Sequence, residues 1–242
     1  MLTPHFFLSI AEETGMITDI GEVVLRAACR DIQELSELFP GSPVRVNVNL
    51  APQQLQDQRL IDLVDQVLED SGLPPSKLTL EITETALIDD LPQAKLILQK
   101  LRQNGICVAL DDFGVGYSSL NYLQQFPIDS LKLDRSLISD VCVSTNQLSI
   151  VECVMRLGKA LGMKVVAEGI ETKEQAIAVT DLGCDFGQGY LFSKPMPMND
   201  IVELLASNEI TNDHVPYLRT SITNSSFTAN QDTSLSQVAG EV

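Results

Sequence analysis

The chain has 242 residues, 44% of them hydrophobic, enough for one sizeable core arranged as one large domain or two small ones. Its 33 acidic residues against 16 basic ones give a formal charge of −17, which excludes broad binding to nucleic acid or to an anionic membrane surface. No apolar run approaches the roughly 18 residues of a membrane helix. Residues 1–15 lack the basic and small-residue regions of a signal peptide, and the five cysteines are odd in number, without CxxC spacing and mostly among apolar neighbours, so they read as reduced core thiols rather than bridges or zinc ligands. A soluble, cytoplasmic protein is the expectation, and a phosphate-bearing ligand would need cations inside its site to reverse the local field.

In chain order, Asp19 and Glu22 stand at capping-box spacing after Thr18, and Ile20, Val24, Ala28, Ile32 and Leu35 then recur with helical period. Residues 44–50 alternate and are rich in β-branched side chains, which predicts a strand ending near Asn49. Residues 60–68 carry a helical pattern that Ser71, Gly72 and Pro74 stop. A second strand follows at 78–84. Asp90-Leu91-Pro92 opens a helix that Asn104-Gly105 ends. The apolar run from Cys107 meets two adjacent carboxylates, Asp111 and Asp112, and passes at once into Gly114-Val115-Gly116.

The second half repeats the plan. Residues 119–125 read as a short helix broken by Pro127, 130–134 as a strand, and 150–161 as a helix running to Gly162. A strand at 164–168 leads to Thr172 and Gln175, a second capping box, whose helix ends at Gly183. The last strand is expected at 186–192 and the last helix at 199–207. From Thr220 the chain is dominated by Ser, Thr and Asn, which cannot offset the entropy of ordering. One domain over 1–207 and a polar, disordered tail over 208–242 are therefore expected.

Strand and helix alternate six times, as a parallel α/β architecture requires. Asn49, Glu81, Asp111, Lys132, Glu168 and Gln188 each fall within or at the end of a different strand. In a (β/α)₈ barrel those ends converge on one mouth; in a doubly wound open sheet they would spread along a crevice. The barrel explains the pattern with one cause. Taken singly, each residue has a plainer reading: Asp111 as a helix cap, Asn49 satisfying a turn, Lys132 snorkelling, Gln188 bonding backbone. Paired acids beside a glycine loop suit hard cations such as Mg²⁺ or Mn²⁺.

The segments Asn49-Leu50, Leu80-Glu-Ile-Thr-Glu84, Asp111-Asp-Phe-Gly-Val-Gly-Tyr-Ser-Ser-Leu120, Leu131-Lys-Leu-Asp-Arg135, Val166-Ala-Glu-Gly-Ile-Glu171 and Gln188-Gly-Tyr190 resemble, in this order, the motifs of the EAL-domain cyclic di-GMP phosphodiesterases. The resemblance implies hydrolysis of cyclic di-GMP to linear pGpG with two divalent cations, Mg²⁺ or Mn²⁺. By motif position it implies Asn49, Glu81, Asp111 and Asp112 as metal ligands and Glu168 as an acid that holds metal or activates water. Lys132 and Gln188 match residues at the attacking water or the phosphate, and Glu84 matches one that holds the glycine loop, where an exposed strand-end acid is the plainer reading. Asp134 and Glu171 are further motif positions.

Three departures stand out: Val115 where the loop usually has threonine, Ala51 where serine is usual, and no Glu-Ala-Leu, whose glutamate is a metal ligand of the family. The resemblance places that segment upstream of Met1, so the expectation is a TIM-type barrel lacking its first two strands, with little or no hydrolysis by the isolated chain. A homodimer and an upstream sensory or regulatory segment are the partners expected besides cyclic di-GMP. A catalytically degenerate binding module for cyclic di-GMP or a protein partner stays open as the alternative, and an unrelated lyase or isomerase on the same barrel is disfavoured by the ordered motif set.

Overall fold

A computed structural model describes residues 7–41, 43–88, 90–115 and 123–207. The helices α1 (Leu8–Thr14) and α2 (Ile17–Leu38) lead into β1 (Val46–Asn49), α3 (Pro52–Leu55) and α4 (Leu60–Ser71). Then come β2 (Leu78–Thr83), α5 (Glu84–Ile88), α6 (Leu91–Gln103) and β3 (Cys107–Phe113). The second half runs β4 (Ser130–Leu133), α7 (Arg135–Ile138), α8 (Thr145–Ala160), β5 (Lys164–Ala167), α9 (Lys173–Asp181), β6 (Phe186–Gly187) and α10 (Met198–Ala206). All five strand pairings are parallel, and the six strands lie side by side in sequence order β1 to β6. This is the winding of a TIM-type barrel wall, curled into a half-barrel, and it excludes the doubly wound sheet, whose strand order reverses.

Alternation along each strand sorts the side chains onto two faces. Val48, Leu80, Ile82, Val108, Leu110, Leu131, Leu133, Val165 and Ala167 belong to one buried cluster with Leu25, Cys29 and Leu35 of α2, Val64 and Val67 of α4, Leu98 and Leu101 of α6, Val151 and Met155 of α8, and Val179 of α9. The helices thus cover the convex face. The other face takes Asn47 and Asn49, Thr79 and Glu81, Ala109 and Asp111, Ser130 and Lys132, and is the concave, polar-lined side on which a site can form.

Local signals account for most element ends. Asp90 accepts a hydrogen bond from the Gln93 backbone N–H at 3.1 Å and caps α6, with Pro92 in its first turn. Gly72 ends α4 in the left-handed conformation, φ 70°. Thr172 and Gln175 form a reciprocal capping box on α9, at 3.2 and 3.0 Å.

Several expectations are corrected: Cys142 and Cys153, expected in the core, are exposed, and the helix expected from residue 150 begins at Thr145, capped by the Ser144 side chain. The helix predicted from Thr18 starts at Ile17, and its N-cap, Met16, makes no side-chain bond, because α1 and the left-handed Gly15 lead the chain straight into it. The strand expected over 186–192 is only Phe186–Gly187. Past it the Ile170 N–H donates to the Gln188 carbonyl at 3.0 Å and the Leu191 N–H to the Ile170 carbonyl at 3.0 Å, so the chain folds over the loop after β5 instead of extending. Gly189 sits so close that a Cβ would overlap the Ile170 backbone. The helix expected over 119–125 falls largely, and the tail over 208–242 entirely, outside the described residues.

Candidate active site

Lys132 of β4 occupies the middle of the concave face, with only 5% of its side chain exposed. Its Nζ lies 2.6 Å from Glu81 Oε2 on β2, 3.1 Å from Asp111 Oδ1 on β3 and 2.6 Å from Glu168 Oε1 just past β5. The sheet's curl makes this possible, since β2 and β4 are not neighbours and a flat sheet would hold their side chains apart. Three carboxylates therefore face one ammonium, leaving two negative charges beyond what Lys132 compensates when all are ionised.

The titration follows from that imbalance. Burial works against the Lys132 charge, but Glu81, Glu168 and Asp111 together outweigh it and hold the ammonium charged, well above the ordinary lysine range. The acids carry the surplus: burial pushes Glu81 up against the pull of Lys132, and burial pushes Glu168 up to about 7, with Asp111 adding to the rise. A carboxyl at that value is poised to exchange a proton near neutrality.

The two adjacent aspartates are separated by a bulge. Between Leu110 and Phe113 the register against β4 advances three residues for two on the partner, from Leu110–Leu131 to Phe113–Leu133. Asp112 takes φ 53°, a left-handed value rare outside glycine, and its backbone N–H donates to Asp111 Oδ1 at 3.0 Å. Asp111 faces Lys132, as the strand alternation places it, while Asp112, displaced by the bulge, is exposed at the rim. Partial burial of its carboxyl, with the neighbouring Asp111 and Asp134, raises the Asp112 pKa.

The short helix α7 ties the mouth together. Asp134 caps it, accepting from the Ser136 N–H at 2.8 Å. Arg135 pairs with Glu171 at 2.8 Å, although both side chains are largely solvated. Gln175, buried at 9% exposure, accepts from the backbone N–H groups of Glu171 and Thr172 at 2.8 and 3.0 Å and donates to the Ser139 carbonyl at 3.2 Å. The loop that bears Glu168 is thereby fastened to the segment that follows Lys132.

Of the residues singled out from the sequence, Glu81, Asp111, Lys132 and Glu168 meet directly. Gln188 follows β6, and among the described residues its buried side-chain Oε1 has no hydrogen-bond partner. Asn49 lies opposite Glu81 in the β1–β2 register and is exposed. Glu84 begins α5 at the end of β2; its expected partner, the glycine loop, continues into residues 116–122, outside the described ones. Asp134 bonds to backbone and Glu171 pairs with Arg135, and among the described residues no contact places either in the acid cluster on Lys132. Sequence reasoning missed Asn47, whose Nδ2 donates to Glu81 Oε1 at 2.6 Å. The signal was there in the alternation, because Asn47 shares a face with Asn49.

A divalent cation fits this donor set chemically: the oxygens are hard carboxylates and the surplus charge is negative. Among the described residues no group of three His, Cys, Asp or Glu side chains is already disposed around a single point for an ion. The acids are instead gathered on the Lys132 ammonium.

The family model described as the EAL domain matches residues 1–195. The chain is 44% identical over 207 residues to uncharacterized protein y4lL of Sinorhizobium fredii, covering 85% of this chain and 24% of that protein. It is 40% identical over 219 residues to the cyclic di-GMP phosphodiesterase NbdA of Pseudomonas aeruginosa, covering 90% of this chain and 28% of that protein. The chain thus spans about a quarter of the length of these relatives. Among solved structures, a cyclic di-GMP complex of the MucR phosphodiesterase superposes with TM-score 0.78 at 39% identity, covering 83% of this chain and 81% of that one. No helix among the described residues is long and apolar enough to cross a membrane. A parallel wall in sequence order, a lysine gripped by acids from three other strand ends and a family match over most of the chain lead to one conclusion: the chain belongs to the EAL domain family.

Proposed function

We propose that this chain is an EAL-type phosphodiesterase domain that hydrolyses cyclic di-GMP to linear pGpG. The observation that carries the reading is the meeting of Glu81, Asp111 and Glu168 around Lys132 at the concave mouth. In the reaction a water oxygen bonds to phosphorus, the P–O3′ bond breaks, and the 3′ oxygen leaves with a proton. Two divalent cations, Mg²⁺ or Mn²⁺, held by Asn49, Glu81, Asp111, Asp112 and Glu168, would supply a water acidified to near neutrality and a charge to offset the phosphate.

The protein's own groups complete the reaction. Lys132, held charged by its acids, presents a cation where negative charge builds on the phosphoryl oxygens. Glu168, 2.6 Å from the Lys132 ammonium, accepts the proton that the attacking water loses. Gln188, whose Oε1 has no partner among the described residues, accepts a hydrogen bond from that water and orients it. Glu84 supports the loop that follows Asp112, and Asp134 and Glu171 hold α7 and the loop after β5 in register with it.

The test is incubation of the purified protein with cyclic di-GMP and Mg²⁺ or Mn²⁺, with nucleotides separated by chromatography and binding followed by calorimetry. Formation of pGpG that disappears in Asp111→Asn supports the reading. Formation of pGpG also overturns the expectation of little or no hydrolysis by the isolated chain, whereas binding of cyclic di-GMP without pGpG overturns the hydrolytic assignment for this chain and leaves a binding module.

A further inference from the structure

Glu81 is 5% exposed, and both of its carboxylate oxygens are engaged from opposite sides. Oε2 meets the Lys132 ammonium at 2.6 Å, and Oε1 meets Asn47 Nδ2 at 2.6 Å. An ionised carboxylate only accepts hydrogen bonds, so the amide nitrogen is the Asn47 atom that faces it. Asn47 pairs in register with Thr79, one step before the Asn49–Glu81 pair on the same face. It therefore reaches Glu81 diagonally, across the strand boundary and from below, on the side away from the C-terminal strand ends.

The terminal torsion of a glutamate is soft and roughly two-fold, so a single contact at Oε2 leaves the carboxylate plane free to turn. A second donor at Oε1 fixes that plane. The distinction matters for a cation ligand, because affinity depends on how the ligating oxygens are aimed, and partners behind a ligand typically control about 10- to 100-fold in metal affinity. We propose that Asn47 is a positioning residue: it fixes the Glu81 carboxylate from below and thereby sets the affinity of the acid cluster for a divalent cation. The inference rests on the reading of Glu81 as a ligand, but it does not require that the bound cation drive catalysis.

The test is Mn²⁺ titration of the chelator-treated protein, read by the electron paramagnetic resonance signal of free Mn²⁺, alongside thermal unfolding in EDTA. Asn47→Leu keeps the branching and approximate size of the side chain but removes the donor; Asn47→Ser, smaller and polar, serves if the first variant fails to fold. The expected result is a Mn²⁺ dissociation constant raised about 10- to 100-fold, with the unfolding midpoint in EDTA changed little by comparison. A lowered midpoint with unchanged Mn²⁺ affinity marks Asn47 as merely structural and overturns the proposal, as does a wild-type protein that binds no Mn²⁺. Mn²⁺ binding that depends on Asn47 in a protein that makes no pGpG supports the proposal while the phosphodiesterase reading fails.

Discussion

Replacing Lys132 by Met keeps the length of the side chain and deletes its charge from the centre of the acid cluster. Glu81, Asp111 and Glu168, with side chains 6%, 13% and 17% exposed, are then left facing one another without a counter-charge. Removing one partner of a buried ion pair costs about 3–5 kcal/mol, because the remaining charge stays desolvated and uncompensated. At roughly 2–4 °C per kcal/mol for a chain of this size, the unfolding midpoint in EDTA should fall on the order of 10 °C. The same reasoning makes the variant more responsive to divalent cations than the wild type. Three acids without Lys132 attract a cation more strongly, and one present at a hundredfold excess over its dissociation constant restores about 2.7 kcal/mol. The assay is urea and thermal unfolding of both proteins in EDTA and in millimolar Mn²⁺. A variant within about 0.5 kcal/mol of wild type in EDTA, or one whose loss Mn²⁺ does not recover, refutes the view that Lys132 neutralises these acids.

Gln175→Leu should destabilise the protein by about 1–3 kcal/mol, since it strands the Ser139 carbonyl and the N–H groups of Glu171 and Thr172; equal urea midpoints for the two proteins would contradict this. In the native protein a thiol reagent should modify the exposed Cys142 and Cys153 promptly and the half-buried Cys107 slowly. Cys29 and Cys184, whose thiols burial pushes up to about 11 and about 12, should react only on unfolding, and mass spectrometry of the labelled peptides would reveal any early modification at either.

Element type was legible because it is decided over short range. The Asp90 cap, the left-handed Gly72, the reciprocal Thr172–Gln175 box and the alternation of 78–83 each act within a few residues, and each works as the local chemistry dictates. The same alternation gave the concave-face residues, and the motif order pointed to the family. One misjudged boundary was local, the start of α8 at Thr145 on the Ser144 cap; two others were decided by neighbours. The polar spacing at Thr18 loses its capping role because α1 delivers the chain into α2 by another route, and 186–192 reads as a strand yet yields to the backbone of Ile170, a partner distant in sequence.

The sequence by itself determined that the molecule is a parallel α/β barrel wall and which acids sit at its strand ends, because periodicity and strand-end polarity are written residue by residue. Only the tertiary structure decided that these acids meet on Lys132 and that Asn47, two residues before Asn49, is the amide touching Glu81. That outcome depends on how tightly the sheet curls, how the strands slide past one another and where the bulge between Leu110 and Phe113 falls. All three are set by packing between elements far apart in the chain, which no local pattern encodes.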